Sequence, residues 1–217
     1  MPYKPNDHYA RKAKNENFVA RSIYKLEEID QRYRIINNND YVLDLGASPG
    51  SWMQYTSKKI GEKGKVLGID LKPITARSSN AMCVLGDMND LKMEELFAKY
   101  NLNKPFDAVV SDMAPNTTGN KFVDQCRSYD LCVIALNTAQ KFLKLNGNFV
   151  CKIFDGEDAM PFRDELKRHF REVQILRPKS VQSSSKEMSI ATQEANKPII
   201  IISAISHSFS YLYFVCR

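Results

Sequence analysis

The 217-residue chain has no C-x-x-C pair, and its five cysteines, Cys83, Cys126, Cys132, Cys151 and Cys216, are odd in number. That argues against a disulfide framework or a zinc site, and for a reducing compartment. His8, His169 and His207 are too scattered to suggest a metal cluster, so no metal is expected. The N-terminus is charged and polar, without a signal-peptide core, which makes the cytoplasm the expected location. There is no internal repeat, low-complexity tract or interdomain linker. A length of 217 residues suffices for one domain with a full core.

The net charge of +6 permits a nucleic-acid partner without requiring one. The cations cluster: Lys4, Arg11, Lys12, Lys14, Arg21 and Lys25 come early, and Arg163, Lys167, Arg168, Arg171, Arg177, Lys179 and Lys186 come late. They are either two solvated helix faces or the halves of one surface for a phosphate backbone.

Regular alternation of apolar runs and helical patterns predicts an α/β fold, a doubly wound and mostly parallel sheet. Helices are expected over about 6–34, 52–60, 91–100, 124–144 and 161–170. Strands are expected over 41–45, 65–70, 82–85, 106–111, 148–154 and 172–176. The most informative segment is Asp44-Leu45-Gly46-Ala47-Ser48-Pro49-Gly50-Ser51-Trp52, a strand end running through a glycine turn into a helix. Such a turn lets the backbone approach a nucleotide-like ligand. Its G-x-x-x-G spacing is not the G-x-G-x-x-G that wraps a pyrophosphate. Asp44 would repel phosphates and suits a cation, and S-adenosylmethionine carries an ammonium and a sulfonium. Asp70, at the next strand end, is placed to accept hydrogen bonds from ribose hydroxyls. Asp87 can receive the amino group of a base, with Met88 beside the ring. Taken singly, each aspartate also suits a cap or turn.

A second set has different chemistry. Lys152 lies inside the apolar run Phe149-Val150-Cys151-Lys152-Ile153-Phe154, where a lysine is unfavourable unless paired. Either it sits at an edge with its amine reaching water, or it faces the crevice held by Asp112 and Glu187. Lys25, on the first helix, joins this set. Desolvation and the carboxylates push the Lys152 proton affinity in opposite directions, so its state as a base stays open.

At this point the chain resembles the FtsJ/RrmJ ribose 2′-O-methyltransferases. The matching segments are Arg21-Ser22-Ile23-Tyr24-Lys25-Leu26, the glycine turn, Gly68-Ile69-Asp70, Ser111-Asp112-Met113-Ala114-Pro115-Asn116, Cys151-Lys152-Ile153-Phe154 and Ser183-Ser184-Ser185-Lys186-Glu187. They occur in family order over roughly residues 7–190. The resemblance implies a Rossmann-like methyltransferase sheet with helices on both faces and an antiparallel last strand. It places a Lys-Asp-Lys-Glu tetrad on Lys25, Asp112, Lys152 and Glu187. It implies S-adenosylmethionine bound through Asp44, Gly46, Ala47, Pro49, Gly50, Trp52, Asp70, Asp87, Met88 and Asp112. The compact length looks like the branch acting on a uridine of large-subunit ribosomal RNA, as a monomer with no metal and no membrane. Alternatives are the same chemistry on tRNA or capped mRNA, or an RNA-binding ribosome-assembly factor without catalysis.

The match has gaps. Ser189 stands where the family pattern has an aromatic residue, which leaves open how Glu187 is held, and Asn17 replaces a family glycine. The methyltransferase domain is expected to span 1–193, followed by an unmatched hydrophobic tail over 194–217. Four serines and His207 interrupt residues 199–216, too often for a membrane span. An extra strand or a disordered tail is expected, and Tyr211 to Cys216 is a candidate for a displaced final strand.

Overall fold

Val42, Leu43, Asp44 and Leu45 are all buried, so the first strand, β1 (Tyr41–Leu45), has no solvent face and must lie in the middle of a covered sheet. The computed structural model describes residues 8–180 and 187–195 and shows this arrangement. Around β1 stand β2 (Lys65–Asp70), β3 (Ala81–Leu85), β4 (Phe106–Ser111), β5 (Leu143–Phe154), β6 (Phe170–Leu176) and β7 (Glu187–Ala195). The order is β3-β2-β1-β4-β5-β7-β6, with β7 antiparallel to both of its neighbours and the pairs among β1 to β5 parallel. Successive strands run outward from β1 in one direction and from β4 in the other. Their carboxyl ends therefore open a crevice at that divide.

Alternate residues of the strands feed two apolar layers. Leu43, Leu45, Val109, Phe149 and Ile153 pack with α4 (Met93–Tyr100), α5 (Lys121–Phe142) and α6 (Ala159–Leu166). Val42, Val66, Ala108, Val110 and Val150 pack with α2 (Ile23–Tyr33) and α3 (Ser51–Ile60) on the other face. The two basic clusters are thereby divided. Those of α6 lie across the sheet from α2, and there Lys167 and Arg168 pair with Asp164 and Glu165. The Lys179 backbone, by contrast, donates to Glu28 of α2 at 2.8 Å. The early and late cations do not form one uninterrupted face.

Several boundaries differ from expectation. The single helix over 6–34 is two helices, α1 (His8–Asn15) and α2, because Asn17 adopts a left-handed φ of 59° and turns the chain. Residues 6 and 7 lie outside the described residues. The fifth strand begins at Leu143 rather than 148, with a register irregularity opposite Phe106 and Ala108. The helix α5 begins at Lys121, where the Asn120 side chain accepts hydrogen bonds from Phe122 N and Val123 N. The antiparallel last strand starts at Glu187 itself and reaches Ala195, so the sheet holds its final strand without Tyr211 to Cys216. Those residues, with the rest of 196–217 and the run Ser183 to Lys186, lie outside the described residues. No helix among the described residues is long and apolar enough to cross a membrane.

At the amino ends of the strands Asp107 ties three of them together. Its carboxylate accepts from Tyr41 N at 2.7 Å and from Lys104 Nζ at 3.1 Å, and pairs with Lys144 Nζ at 2.5 Å. Burial pushes its pKa up, but the Lys144, Tyr41 and Lys104 hydrogen bonds outweigh it and leave the pKa below the ordinary 3.8. A depressed carboxyl pKa contributes stability above about pH 4 that disappears as pH falls through the folded value. Asp107→Asn is expected to lose roughly 1–3 kcal/mol in urea unfolding at pH 7. The deficit should shrink on acidification below pH 4.

Candidate active site

Four charged side chains from four separate elements meet where β4 and β5 end. Lys25 comes from the first turn of α2, Asp112 follows β4, Lys152 lies within β5 and Glu187 opens β7. The register dictates the last two positions: Lys152 stands opposite Ser189, and Phe154 opposite Glu187. Small Ser189 is buried in that pairing. Glu187 is therefore held by the strand register and by its ion pairs, with no aromatic residue two positions on.

The charges alternate in sign. Lys25 Nζ lies 2.7 Å from Glu187 Oε2 and 3.7 Å from Asp112 Oδ1. Lys152 Nζ lies 3.1 Å from Asp112 Oδ1 and 4.0 Å from Glu187 Oε1, and donates to the Asp112 carbonyl at 2.7 Å. Both lysines are nearly buried, at 8 % and 6 % exposure, which decides between the two readings of Lys152: it faces the crevice and not an open edge. Burial pushes the Glu187 pKa up. The charges of Lys25 and Lys152, the Lys25 hydrogen bond and Arg21 reverse that and hold it below its usual value.

Beside this cluster is a cleft of about 550 Å³. Leu45 at the end of β1 and Gly46 just after it, Asp70 from β2, Asp87 and Met88 after β3, and Asp112 to Asn116 after β4 form its walls. Gly46 is required at its rim. Its φ is +74°, and a Cβ there would lie 2.7–2.8 Å from Met113 side-chain and backbone atoms. Asp70 accepts Ser48 N at 2.8 Å and Lys72 N at 2.7 Å, which fixes its carboxylate at the turn. Asp87 likewise accepts Asn89 N at 2.9 Å.

Asp44 is the electrostatic anomaly. It is fully buried, and neither carboxylate oxygen has a hydrogen-bond partner. Burial, then the charges of Asp112 and Asp70, push its pKa well above the ordinary carboxylate value. Three carboxyl groups thus lie close together, Asp70 and Asp112 in the cleft wall and Asp44 buried behind it, a setting hostile to phosphates and suited to a cationic ligand.

Five residues expected to touch a cofactor do not line the cleft. Asp44 is fully buried behind its wall, next to Leu45. Ala47 is buried in the core. The Pro49 carbonyl accepts Thr75 N and Ala76 N, pinning the turn to the next loop. A Cβ on Gly50 would meet Ala76 Cβ at 2.3 Å, so this glycine serves packing. Trp52 is 2 % exposed and its indole donates to the Ser22 carbonyl at 2.8 Å, joining α3 to α2. Conversely, α5 supplies an unanticipated wall, Arg127, Asp130, Leu131 and Ile134. Their i, i+3, i+4, i+7 spacing marks one helix face, and the mixed polarity of that stripe was the available signal.

The FtsJ-like methyltransferase family model matches residues 18–195. The ribosomal RNA large subunit methyltransferase E of Bdellovibrio bacteriovorus is 52% identical over 188 residues, 87% of this chain and 96% of its own. That of Desulforapulum autotrophicum is 44% identical over 185 residues, 85% and 90% of the two chains. Among solved structures, a Plasmodium falciparum protein described as a ribosomal RNA methyltransferase superposes with TM-score 0.71 at 26% identity, covering 82% of this chain and 98% of that one. Aeropyrum pernix fibrillarin, solved with S-adenosyl-L-methionine bound, shares the fold at TM-score 0.50 and 18% identity, covering 73% and 68%. With the family model spanning the whole sheet and close relatives matched nearly end to end, the chain belongs to the FtsJ-like methyltransferases.

Proposed function

We propose that this protein transfers a methyl group from S-adenosylmethionine to a ribose 2′-hydroxyl of RNA, a uridine of large-subunit ribosomal RNA. The observation that carries this reading is the buried Lys25, Asp112, Lys152 and Glu187 cluster at the mouth of the cleft. The names of the close relatives support the substrate.

The cleft residues fit the cofactor. Asp44, buried and unpartnered behind the cleft wall, would favour a cationic group, Asp70 would offer carboxylate oxygens to ribose hydroxyls, and Asp87 and Met88 would hold the base. The bound cofactor supplies a methyl group already activated by its sulfonium. What remains for the chain is alignment and proton management. A ribose hydroxyl is a weak nucleophile and must lose its proton as it reacts. Lys152 is the group that accepts or steers that proton. Asp112 fixes its amine through both carbonyl and carboxylate, so the nitrogen approaches the acceptor from one direction. Lys25 and Glu187, locked together at 2.7 Å, position the acceptor ribose and balance the local charge.

Transfer of labelled methyl groups to purified large ribosomal subunits, total tRNA and capped RNA in parallel tests the assignment. Label is expected on the large subunit alone, as 2′-O-methylribose. Label on tRNA or capped RNA instead would redirect the substrate assignment, and none anywhere from a folded, cofactor-binding protein would favour an assembly factor. Lys152→Ala is expected to abolish transfer while cofactor affinity, read by calorimetry, stays within about twofold. Full activity in that variant removes Lys152 from the chemistry.

Asp44→Asn separates binding from stability. It is expected to weaken cofactor binding roughly tenfold, the loss of one buried negative charge behind the cleft wall. A raised carboxyl pKa in the folded state means that stability falls as pH rises above the unfolded value near 3.8. The variant should therefore melt higher than the wild type in cofactor-free protein at pH 7. That gain should vanish below about pH 4, where both states of the wild-type residue are protonated.

A further inference from the structure

Phe122 is the one exposed aromatic residue among the described residues, at 61 % exposure. Single exposed apolar side chains are ordinary on protein surfaces, so its place decides its meaning. It sits in the first turn of α5, at the end of the segment that leaves the catalytic cluster at Asp112. That segment is cleft wall up to Asn116, then a fully exposed ridge from Asn116 to Phe122. No acidic residue lies between Asp112 and Asp124, and Lys121 precedes the ring.

The ridge is rigidly built. Asp124, buried under it, accepts Thr118 N at 2.7 Å, Thr118 Oγ1 at 2.9 Å and Gly119 N at 3.2 Å. Asn120 caps the Phe122 and Val123 amides, and Arg127 reaches back to the Asn116 carbonyl at 3.1 Å. One turn along the same helix face, Gln125 donates to the Asp155 carbonyl, just past the end of β5 and three residues beyond Lys152. The fold thus holds a water-exposed ring on the first turn of α5, whose next turn is tied to the end of β5, the strand that carries Lys152, at the carboxyl edge of the sheet.

We propose that Phe122 is a positioning residue for the RNA substrate, its ring stacking on a nucleobase next to the nucleotide whose ribose is methylated. The inference rests on the RNA reading of the site. Stacking fits the chemistry required. Every base has an apolar face, a preset aromatic platform loses little entropy on binding, and Lys121 stands beside it for a backbone phosphate. Stacking one base fixes the chain direction at the acceptor without touching the reacting atoms.

Phe122→Ala is expected to raise the KM for purified large ribosomal subunits about tenfold, the usual scale of one lost stacking contact. The maximal rate, cofactor affinity and melting temperature should stay unchanged, which a structural role of Phe122 would not allow. Phe122→Tyr should keep the wild-type KM. Trp52 is buried, so Phe122→Trp adds an exposed indole whose fluorescence should be quenched saturably by a single-stranded oligouridylate of about ten nucleotides. Leu145→Trp, at the opposite end of β5, should not respond. An unchanged KM in Phe122→Ala, or an unquenched indole at 122, overturns the proposal. If the wild type methylates no RNA, the functional assignment fails, and the indole signal still decides whether this ring stacks on bases.

Discussion

Two ammonium groups cannot be removed from water without partners, and this requirement shapes the region between α2, β4, β5 and β7. Lys25 and Lys152 are buried only because Asp112 and Glu187 stand between them, each carboxylate within 4.0 Å of both cations. Removing any one member leaves a charge with no counterpart in a low-dielectric setting, a far larger cost than losing an exposed ion pair. The cluster therefore constrains the elements that carry it. The helix α2 must lie against the sheet with Lys25 facing inward, β7 must pair with β5 in one register, and the chain must turn just after β4. The proposed chemistry calls for the same geometry, because a proton acceptor aimed from two anchor points is oriented before a substrate arrives.

The crevice shows the opposite arrangement. Asp44 is buried without any partner and Asp70 and Asp112 crowd it, so the free protein holds an unsatisfied carboxyl at its centre. Natural sequences rarely keep such a group unless a ligand uses it. Stability is surrendered at this position, and the proposed cofactor carries the cation that this buried carboxyl lacks. The turn above it is stiffened by Gly46 against Met113 and by the Pro49 carbonyl against the 75–76 backbone, so the site does not relax to relieve the charge.

Much of this was legible in the sequence where composition and chemistry conflict. A lysine within Phe149 to Phe154 and an aspartate closing Tyr41 to Leu45 both break the apolar pattern, and both lie at the site. The strands β1, β2 and β4 appeared at their true limits, because uniform apolar runs ended in polar turns leave little choice. Other features were hidden for physical reasons. The break at Asn17 depends on a left-handed backbone that an asparagine permits but does not announce. The early start of β5 runs through Leu143 and Lys144, expected as the end of a helix, and through Leu145 to Gly147 ahead of the expected strand, an extension that only the pairing of β4 with Leu143 specifies. Trp52, directly after a glycine turn, suggested a ligand contact, but its indole bonds the Ser22 carbonyl and its ring fills the core. The wall from α5 is only weakly marked in the sequence, by the mixed polarity of the stripe Arg127, Asp130, Leu131 and Ile134, because a helix face covering a cleft needs neither a pure apolar nor a pure polar stripe.

The position of β7 gives the molecule an order of assembly. The strand β6 pairs with β7 alone, yet β6 is made first. While the chain grows from its amino end, β6 has no neighbour to dock on, β5 has one bare edge, and Lys25 and Lys152 lack one of their two carboxylates. A single late segment, beginning with the very residue that closes the charge cluster, satisfies all of these at once by sliding between two strands already present. A nascent chain therefore stays incompetent until almost all of the domain has been synthesised, and the site and the sheet are finished in the same event.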